Sequence, residues 1–257
     1  MRHTFFDTHT HYNHPAFAED GEAVREKIRR IGVKLDAVIG FDLPSSRRAL
    51  ELAEEGKGHL AVVGIHPLYV TDLPENALEI LEMFTQKRAD ALGEVGLDYH
   101  RPEGPEKELQ KKLFREQLHL AKEKDLPVVI HSREAAQDTV EILKEQKAEK
   151  GVIHCFSYSP EMAEEFVKMG FLLGVGGVVT RPNAKKLRET VRRIPLSRLV
   201  LETDAPYLPP EGHRGERNDS CALPQIAEEI AQLKGISLEE VCEVTWENAC
   251  RLYRVKP

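Results

Sequence analysis

Two histidines, His9 and His11, end a short apolar run near the beginning of the chain. Side chains on a β-strand alternate between its two faces, so residues two positions apart point the same way. Both imidazoles could therefore bind one metal ion. Two histidines on one strand face also occur at ordinary polar strand ends, so the pair indicates a metal site only when further ligands accompany it.

Further short apolar runs end in residues that bind metals or phosphate. They lead to His66, Glu94, His131 with Arg133, His154 and Asp204. One catalytic metal takes about three protein ligands, and the chain offers more. Six ligands suit two ions about 3.5–4 Å apart that share a carboxylate. Imidazole and carboxylate ligands fit Mg²⁺, Mn²⁺ or Zn²⁺, so we expect two divalent metal ions without a fixed identity. The expected metal ligands are His9, His11, Glu94, His131, His154 and Asp204.

Short β-type runs alternate with helix-like stretches along the whole chain. The predicted strands are 4–8, 37–40, 60–64, 91–95, 127–130, 151–153, 171–175 and 199–202. The predicted helices include 49–55, 77–88, 106–124, 135–146, 162–169, 183–193, 225–234 and 238–251. This alternation predicts a (β/α)₈ TIM barrel, whose catalytic residues lie at the carboxyl ends of the strands. An open doubly wound sheet would have fewer strands and a Gly-rich phosphate loop after the first one. No linker divides the chain, so residues 1–257 are expected to form a single domain.

The composition is ordinary for a globular protein, with 41% hydrophobic and 31% charged residues. A net charge of −7 argues against non-specific binding of duplex DNA, which needs a basic face. It does not exclude a nucleic-acid substrate, because bound cations change the local charge. Four cysteines without C-x-x-C spacing favour a reducing cytoplasm. No segment has the pattern of a signal peptide or a membrane span. A cytoplasmic monomer that does not bind membranes is expected.

Several other residues are assigned supporting positions. Glu202 lies two residues before Asp204 and is expected to hold a ligating histidine. Cys155 and Trp246 are expected in the core, as are the paired Phe5 and Phe6. Three acidic residues are expected to support ligands or cap helices: Asp7, Asp42 and Asp98. Six histidines match no strand end and are expected at the surface: His3, His14, His59, His100, His119 and His213.

Seven segments together resemble the TatD family of metal-dependent deoxyribonucleases. They are Asp7-Thr8-His9-Thr10-His11, Gly64-Ile65-His66-Pro67, Gly93-Glu94-Val95-Gly96-Leu97-Asp98, His131-Ser132-Arg133, His154-Cys155-Phe156, Glu202-Thr203-Asp204-Ala205-Pro206-Tyr207-Leu208 and Arg214-Gly215-Glu216-Arg217-Asn218. The resemblance runs in order across nearly the whole chain. It implies an amidohydrolase-type barrel with two metals and 3′→5′ exonuclease or related DNase activity. By position, it implies that His9, His11, Glu94 and Asp204 hold one ion, and Glu94, His131 and His154 the other. His66 and Arg133 would contact the scissile phosphate.

The loop after the eighth strand departs from the family pattern. An Arg-Asn-Glu-Pro run in the family corresponds here to Arg217-Asn218-Asp219-Ser220, so the proline is missing. The shape of this loop is therefore open. The same loop carries Arg214 and Arg217, which could bind a substrate phosphate because barrels often bind phosphate there, or could belong to a surface loop. His66 could likewise only cap the turn at Pro67, and Arg133 could be a solvated charge.

The chemistry expected of this arrangement is hydrolysis of a phosphodiester bond by a metal-bridging hydroxide. Asp204 would orient the water and accept its proton, and Glu94 would bridge the ions without the carboxylated lysine found in many amidohydrolases. The substrate would be a single-stranded DNA end or another phosphate-bearing molecule, since no aromatic stacking platform for a longer track is apparent. The alternative is a small-molecule amidohydrolase, lactonase or phosphoesterase, because loops and not the fold select the substrate. A non-catalytic metal-binding protein is a further alternative, which the presence of both Glu94 and Asp204 disfavours.

Overall fold

The computed structural model describes residues 3–256, and its centre is a barrel of eight parallel strands in the order β1 to β8. The strands are β1 (Phe5–Thr10), β2 (Val33–Ile39), β3 (His59–Val63), β4 (Ala91–Asp98), β5 (Val128–Arg133), β6 (Gly151–Ile153), β7 (Leu172–Val175) and β8 (Leu199–Leu201). The barrel closes between β8 and β1, where the N–H of Asp204 donates to the carbonyl of His9 (2.9 Å) and the N–H of His11 to the carbonyl of Ala205 (2.7 Å). The predicted TIM barrel is confirmed.

Helices surround the strands. They are α1 (Gly21–Arg30), α2 (Leu43–Glu54), α3 (Ala77–Arg88), α4 (Lys107–Glu123), α5 (Ala136–Gln146), α6 (Pro160–Lys168), α7 (Lys185–Arg193), α8 (Leu223–Lys234) and α9 (Leu238–Tyr253). All the predicted helices are present, α2 begins six residues earlier than the predicted 49–55, and α1 is additional. Among residues 3–256, no helix is both long and apolar enough to cross a membrane.

Two apolar clusters hold the barrel together. The larger lies between the strands and the outer helices. The smaller takes side chains from all eight strands and fills the barrel interior. Helix α9 closes one end of it, because the Tyr253 ring stacks on Phe6 (centroids 5.4 Å apart) and its hydroxyl donates to the carbonyl of Thr8 (2.7 Å). Phe5 and Phe6 are buried and Trp246 packs on the interior cluster, as expected.

Two residues differ from the sequence-based expectation. His59, expected at the surface, is buried at the start of β3, and its Nδ1 lies 2.6 Å from Oδ1 of Asp36 on the neighbouring strand. A single histidine at a strand end gives no sequence signal for such a partner 23 residues away. Cys155, expected in the core, is only partly buried.

Candidate metal centre

Irregularities in β1 and β4 turn three expected ligands toward the barrel interior. The register of β1 against β2 shifts between Asp7 and Thr10, and that of β4 against β5 shifts between Gly93 and Val95. One extra residue in a strand reverses the face that the following side chains reach. Phe6 and Ala91 face the interior, so strict alternation would point His9, His11 and Glu94 outward. The shifts place all three with the inward-facing residues.

One group of ligands forms where β1 meets the end of β8. The Nε2 atoms of His9 and His11 are 3.3 Å apart. Oδ1 of Asp204 lies 3.6 Å from the first and 3.4 Å from the second. We call these three side chains the first half of the centre. Two imidazole nitrogens and a carboxylate oxygen converging from two strands can bind one cation.

A second group lies at the ends of β5 and β6. Nδ1 of His131 is 2.7 Å and Nε2 of His154 is 2.9 Å from Oε1 of Glu94. We call His131 and His154 the second half. The two halves are adjacent, since the rings of His9 and His154 stack with centroids 3.8 Å apart.

Glu94 joins the two halves. Its Oε1 faces the second half, whereas its Oε2 lies 3.6 Å from Nε2 of His9 and 3.8 Å from Nε2 of His11. A carboxylate with one oxygen toward each ligand group has the arrangement of a bridging ligand. The six expected metal ligands therefore lie in one cluster, and no arginine or lysine is ion-paired to its carboxylates within residues 3–256.

Charges within the cluster suit the binding of cations. Burial tends to raise the pKa of Glu94, but the charge of His154 and hydrogen bonds from His131 and His154 hold that pKa well below its usual value. The pKa of Asp204 is likewise lowered, because the hydrogen bond from His11 and the charges of nearby imidazoles outweigh its burial. Both carboxylates are thus anionic at neutral pH. The same interactions raise the pKa of His131 and His154, because the nearby carboxylates outweigh the opposing effect of burial. A bound metal ion would replace those protons.

Backbone and carboxylate groups orient two of the imidazoles. Nδ1 of His11 lies 3.0 Å from the carbonyl of Ile39, which directs Nε2 into the centre. Nε2 of His131 lies 3.2 Å from Oδ2 of Asp98, whose Oδ1 accepts the N–H of His100. Asp98 was expected to support a ligand or cap a helix, and here it contacts a histidine of the second half.

A buried carboxylate lies behind both halves. Oε1 of Glu202 accepts the N–H of Cys155 (2.6 Å) and lies 3.6 Å from Nδ1 of His154, longer than a hydrogen bond. Cys155 has a φ of +45°, which is uncommon for a residue other than glycine. Oε2 of Glu202 and the Nδ1 atoms of His9 and His154 have no hydrogen-bond partner among the described residues. Unpaired buried polar atoms are rare in proteins, and functional sites are one place where they persist.

His66 belongs to the cluster in a different way from the six ligands. Its Nε2 lies 3.9 Å from Oε1 of Glu94, and it can be grouped with Glu94 and His131 as a metal-binding set. Its Nδ1, however, accepts the N–H of Leu68 (3.2 Å). Burial, followed by the charge of His131, lowers the pKa of His66 to about 3, so the ring is neutral. A neutral imidazole that accepts at Nδ1 carries its proton on Nε2. His66 in this state presents a donor to the site, which suits an anionic oxygen.

The three arginines predicted to bind substrate occupy different surroundings. Arg133, at the end of β5, is exposed, and its guanidinium has no carboxylate partner among residues 3–256. Arg214 is exposed and pairs with Glu211, with Nη2 2.9 Å from Oε2. Arg217 pairs with Asp20 through both carboxylate oxygens and lies over the ring of Phe17. The structure thus places Arg133 on a strand that supplies a ligand, whereas Arg214 and Arg217 are engaged by carboxylates.

The loop after β8 is attached to β1 by a buried network that the sequence did not reveal. The Ser220 hydroxyl donates to Oδ2 of Asp7 (2.6 Å), and the Tyr12 and Ser220 hydroxyl oxygens are 2.7 Å apart. The Ser220 N–H donates to the Tyr12 hydroxyl oxygen (3.1 Å). Asp7 also accepts the N–H (3.0 Å) and hydroxyl (2.6 Å) of Thr203. Ser220, which stands where the family has proline, therefore supports the loop with groups that proline lacks. The replacement of the family's proline by Ser220 was the only feature of the sequence that pointed to this network.

Comparisons with known proteins agree with this architecture. A family model described as TatD related DNase matches residues 6–254. The uncharacterized metal-dependent hydrolase YabD of Bacillus subtilis is 45% identical, over 97% of this chain and 99% of the relative. Deoxyribonuclease TATDN3 of Homo sapiens is 36% identical, over 96% of this chain and 93% of the relative. The crystal structure of YjjV, a TatD homologue from Escherichia coli, superposes with a TM-score of 0.95 at 35% identity and covers all of both chains. The chain is a member of the TatD family of metal-dependent hydrolases.

Proposed function

We propose that this protein is a metal-dependent deoxyribonuclease that removes nucleotides from the 3′ end of single-stranded DNA. The observation that supports this best is the position of Glu94, whose two oxygens face separate ligand groups. Two divalent ions in these groups would lower the pKa of a bound water and neutralise charge that develops on the phosphoryl oxygens. Four imidazoles and two carboxylates fit Zn²⁺, Mn²⁺ or Mg²⁺.

The residues around the cluster supply what a phosphodiester needs. His66 offers an N–H at Nε2, and Arg133 offers a guanidinium without a carboxylate partner among the described residues. Both can donate to phosphate oxygens, and the planar guanidinium can do so with two parallel hydrogen bonds. Neutral amides and lactones carry no anionic oxygen in the ground state, so their binding does not need these two donors. Arg214 and Arg217 would join them only by leaving their carboxylate partners.

Asp204 is the base in this proposal. It is the more accessible of the two central carboxylates, with 14% of its side chain exposed against 6% for Glu94. Asp204 follows β8 with a φ of +57°, and its Oδ1 lies 3.4 Å from Nε2 of His11. From this position it can orient the attacking water and accept its proton. Glu94, with an oxygen in each half, stays as the bridging ligand.

The test uses a 5′-labelled single-stranded DNA, metal-stripped protein and titration with Mg²⁺, Mn²⁺ and Zn²⁺. A ladder of products shortened from the 3′ end, dependent on metal, is expected. Asp204→Asn should abolish it, whereas Asp125→Asn should not, because Asp125 is exposed at the opposite end of the barrel with a φ of +51° that asparagine tolerates. Release of the 5′ label in one step would indicate that the enzyme degrades the strand from its 5′ end. No cleavage with any metal, in a protein that still binds metal, would leave the lactonase and amidohydrolase alternatives.

A further inference from the structure

Three aromatic rings lie along one flank of the candidate metal centre, with the ring of His11 between the first and the second. The Tyr207 ring lies 5.9 Å from the ring of His11, which lies 5.5 Å from the ring of Phe41. Phe41 in turn lies 5.5 Å from Tyr69, whose ring is 6.2 Å from that of His66. We call Tyr207, Phe41 and Tyr69 the aromatic wall. It extends from the first half of the centre to the predicted phosphate donor.

The outer two rings of the wall are exposed. Tyr69 is 39% and Tyr207 47% exposed, and only two other large hydrophobic side chains of the described residues, Met83 and Leu109, are comparably exposed. Burial of an aromatic side chain is favourable, so exposed rings beside a candidate active site are suited to packing against a bound ligand. The neighbouring His11 and His66 place that ligand at the metal centre.

The hydroxyls of the two tyrosines do not account for their positions. Neither hydroxyl makes a hydrogen bond with another described residue, unlike those of Tyr12, Tyr99, Tyr158 and Tyr253. What both residues present to the opening is therefore a π-face and a free hydroxyl.

We propose that the aromatic wall stacks an unpaired nucleobase adjacent to the scissile phosphate. This proposal rests on the proposed deoxyribonuclease function and adds the recognition of the nucleoside. Every base has a π-face, so stacking on tyrosine and phenylalanine would accept all four bases without reading sequence. A paired base would have to leave its duplex to reach the wall, which favours single strands or frayed ends. From the sequence, no stacking platform for a longer track was expected, and this proposal concerns a single base at the strand end.

The sequence alone does not show that the three rings of the aromatic wall belong together, because each ring follows a different strand. Phe41 follows β2, Tyr69 lies in the short 3₁₀ helix Pro67–Asp72 after β3, and Tyr207 follows β8. No spacing in the chain connects them. The barrel brings them together because β8, β1, β2 and β3 are consecutive around its circumference.

The test separates ring from hydroxyl and base from phosphate. Tyr69→Leu and Tyr207→Leu remove a ring, whereas Tyr69→Phe and Tyr207→Phe keep it, and Met83→Ala on α3 is the exposed control. Two 5′-labelled single strands are compared, one ordinary and one with abasic tetrahydrofuran residues at its last two positions. Each leucine variant should raise KM for the ordinary strand about tenfold with little change in kcat, because stacking contributes to binding. KM for the abasic strand should not change, and the phenylalanine variants should match the parent.

A second readout does not depend on turnover. A strand with 2-aminopurine at its 3′ end is bound to the metal-loaded Asp204→Asn protein, in which cleavage is blocked. Stacking should quench the 2-aminopurine fluorescence. Tyr69→Leu or Tyr207→Leu, added to the Asp204→Asn protein, should restore that fluorescence. If the phenylalanine variants weaken binding and quenching as much as the leucine variants do, the effect belongs to the hydroxyls and the proposal is overturned. Unchanged KM and fluorescence in the leucine variants would also overturn it. Quenching by the Asp204→Asn protein, together with no DNA cleavage by the metal-loaded parent protein, would refute the nuclease function and leave base stacking intact.

Discussion

Removal of the Ser220 hydroxyl should destabilise the protein measurably. The residue is fully buried, donates to Asp7 and is the hydroxyl partner of Tyr12. In Ser220→Ala, the Asp7 carboxyl loses one donor and the Tyr12 O–H loses its acceptor. A lost hydrogen bond and a buried group without a partner each cost about 1–1.5 kcal/mol, about 2–3 kcal/mol together. For a domain of this size, that free energy lowers Tm by about 4–12 °C.

The assay is thermal and urea unfolding followed by circular dichroism. Ser197→Ala is the matched control, because Ser197 also lies in a three-residue 3₁₀ helix (Leu196–Arg198) but is exposed. It should change the free energy of unfolding by less than about 0.5 kcal/mol. Ser220→Pro, which restores the family residue, removes the N–H donated to Tyr12 as well and should cost at least as much as Ser220→Ala.

A double-mutant cycle locates the effect. Tyr12→Phe removes the hydroxyl that Ser220→Ala would leave without an acceptor, so the double variant should be less destabilised than the sum of the singles by about 1 kcal/mol. If Ser220→Ala unfolds at the parent temperature, or if the two free energies simply add, the network does not carry the stability assigned to it and the reasoning fails.

Two further predictions concern the cluster's surroundings and the thiols. In Gly174→Ala, the new Cβ would lie 2.1 Å from Oε2 of Glu202, so overpacking should cost about 1–3 kcal/mol in urea unfolding and weaken metal binding. Gly21→Ala, whose Cβ would meet nothing closer than 4.0 Å, should unfold like the parent, and equal behaviour of the two variants would contradict the contact. Burial raises the pKa of both Cys155 and Cys221 to about 12, so iodoacetamide at pH 8 should alkylate these thiols at least about a hundredfold more slowly in the native protein than in urea. Rapid native labelling of either, located by peptide mass spectrometry, would show that its thiolate is accessible.

The sequence predicted which side chains come together better than how they are positioned. Strand ends are visible as apolar runs, so the order of the elements and the residues at their exits could be identified. The register shifts in β1 and β4 could not, because a bulge changes which face a residue reaches without changing its neighbours in the chain. The prediction that His9 and His11 share a face was right, but that this face is the interior depends on the shift.

Polar pairs between residues far apart in the chain also could not be predicted from the sequence. Arg217 was predicted either to bind a substrate phosphate or to belong to a surface loop, and its partner Asp20, 197 residues away, could not be identified. His59 was predicted at the surface because nothing in its local pattern indicates the buried Asp36. Such pairs are set by which strands and helices become neighbours in the barrel. A single sequence therefore reveals candidate chemistry at an exit but not which charged groups are already engaged.

The first half of the metal centre lies on the seam that closes the barrel. His9 and His11 exchange backbone hydrogen bonds with Asp204 and Ala205, and Asp204 is itself a member of that half. Asp7 ties the same seam together through Thr203. The second half takes its histidines from β5 and β6, away from the seam. A metal ion that bound the first half only in the closed barrel would stabilise the closed barrel, so metal binding there and closure of the barrel would be thermodynamically linked. Loosening the seam at Ser220 should accordingly weaken binding at the first half while binding at the second is preserved.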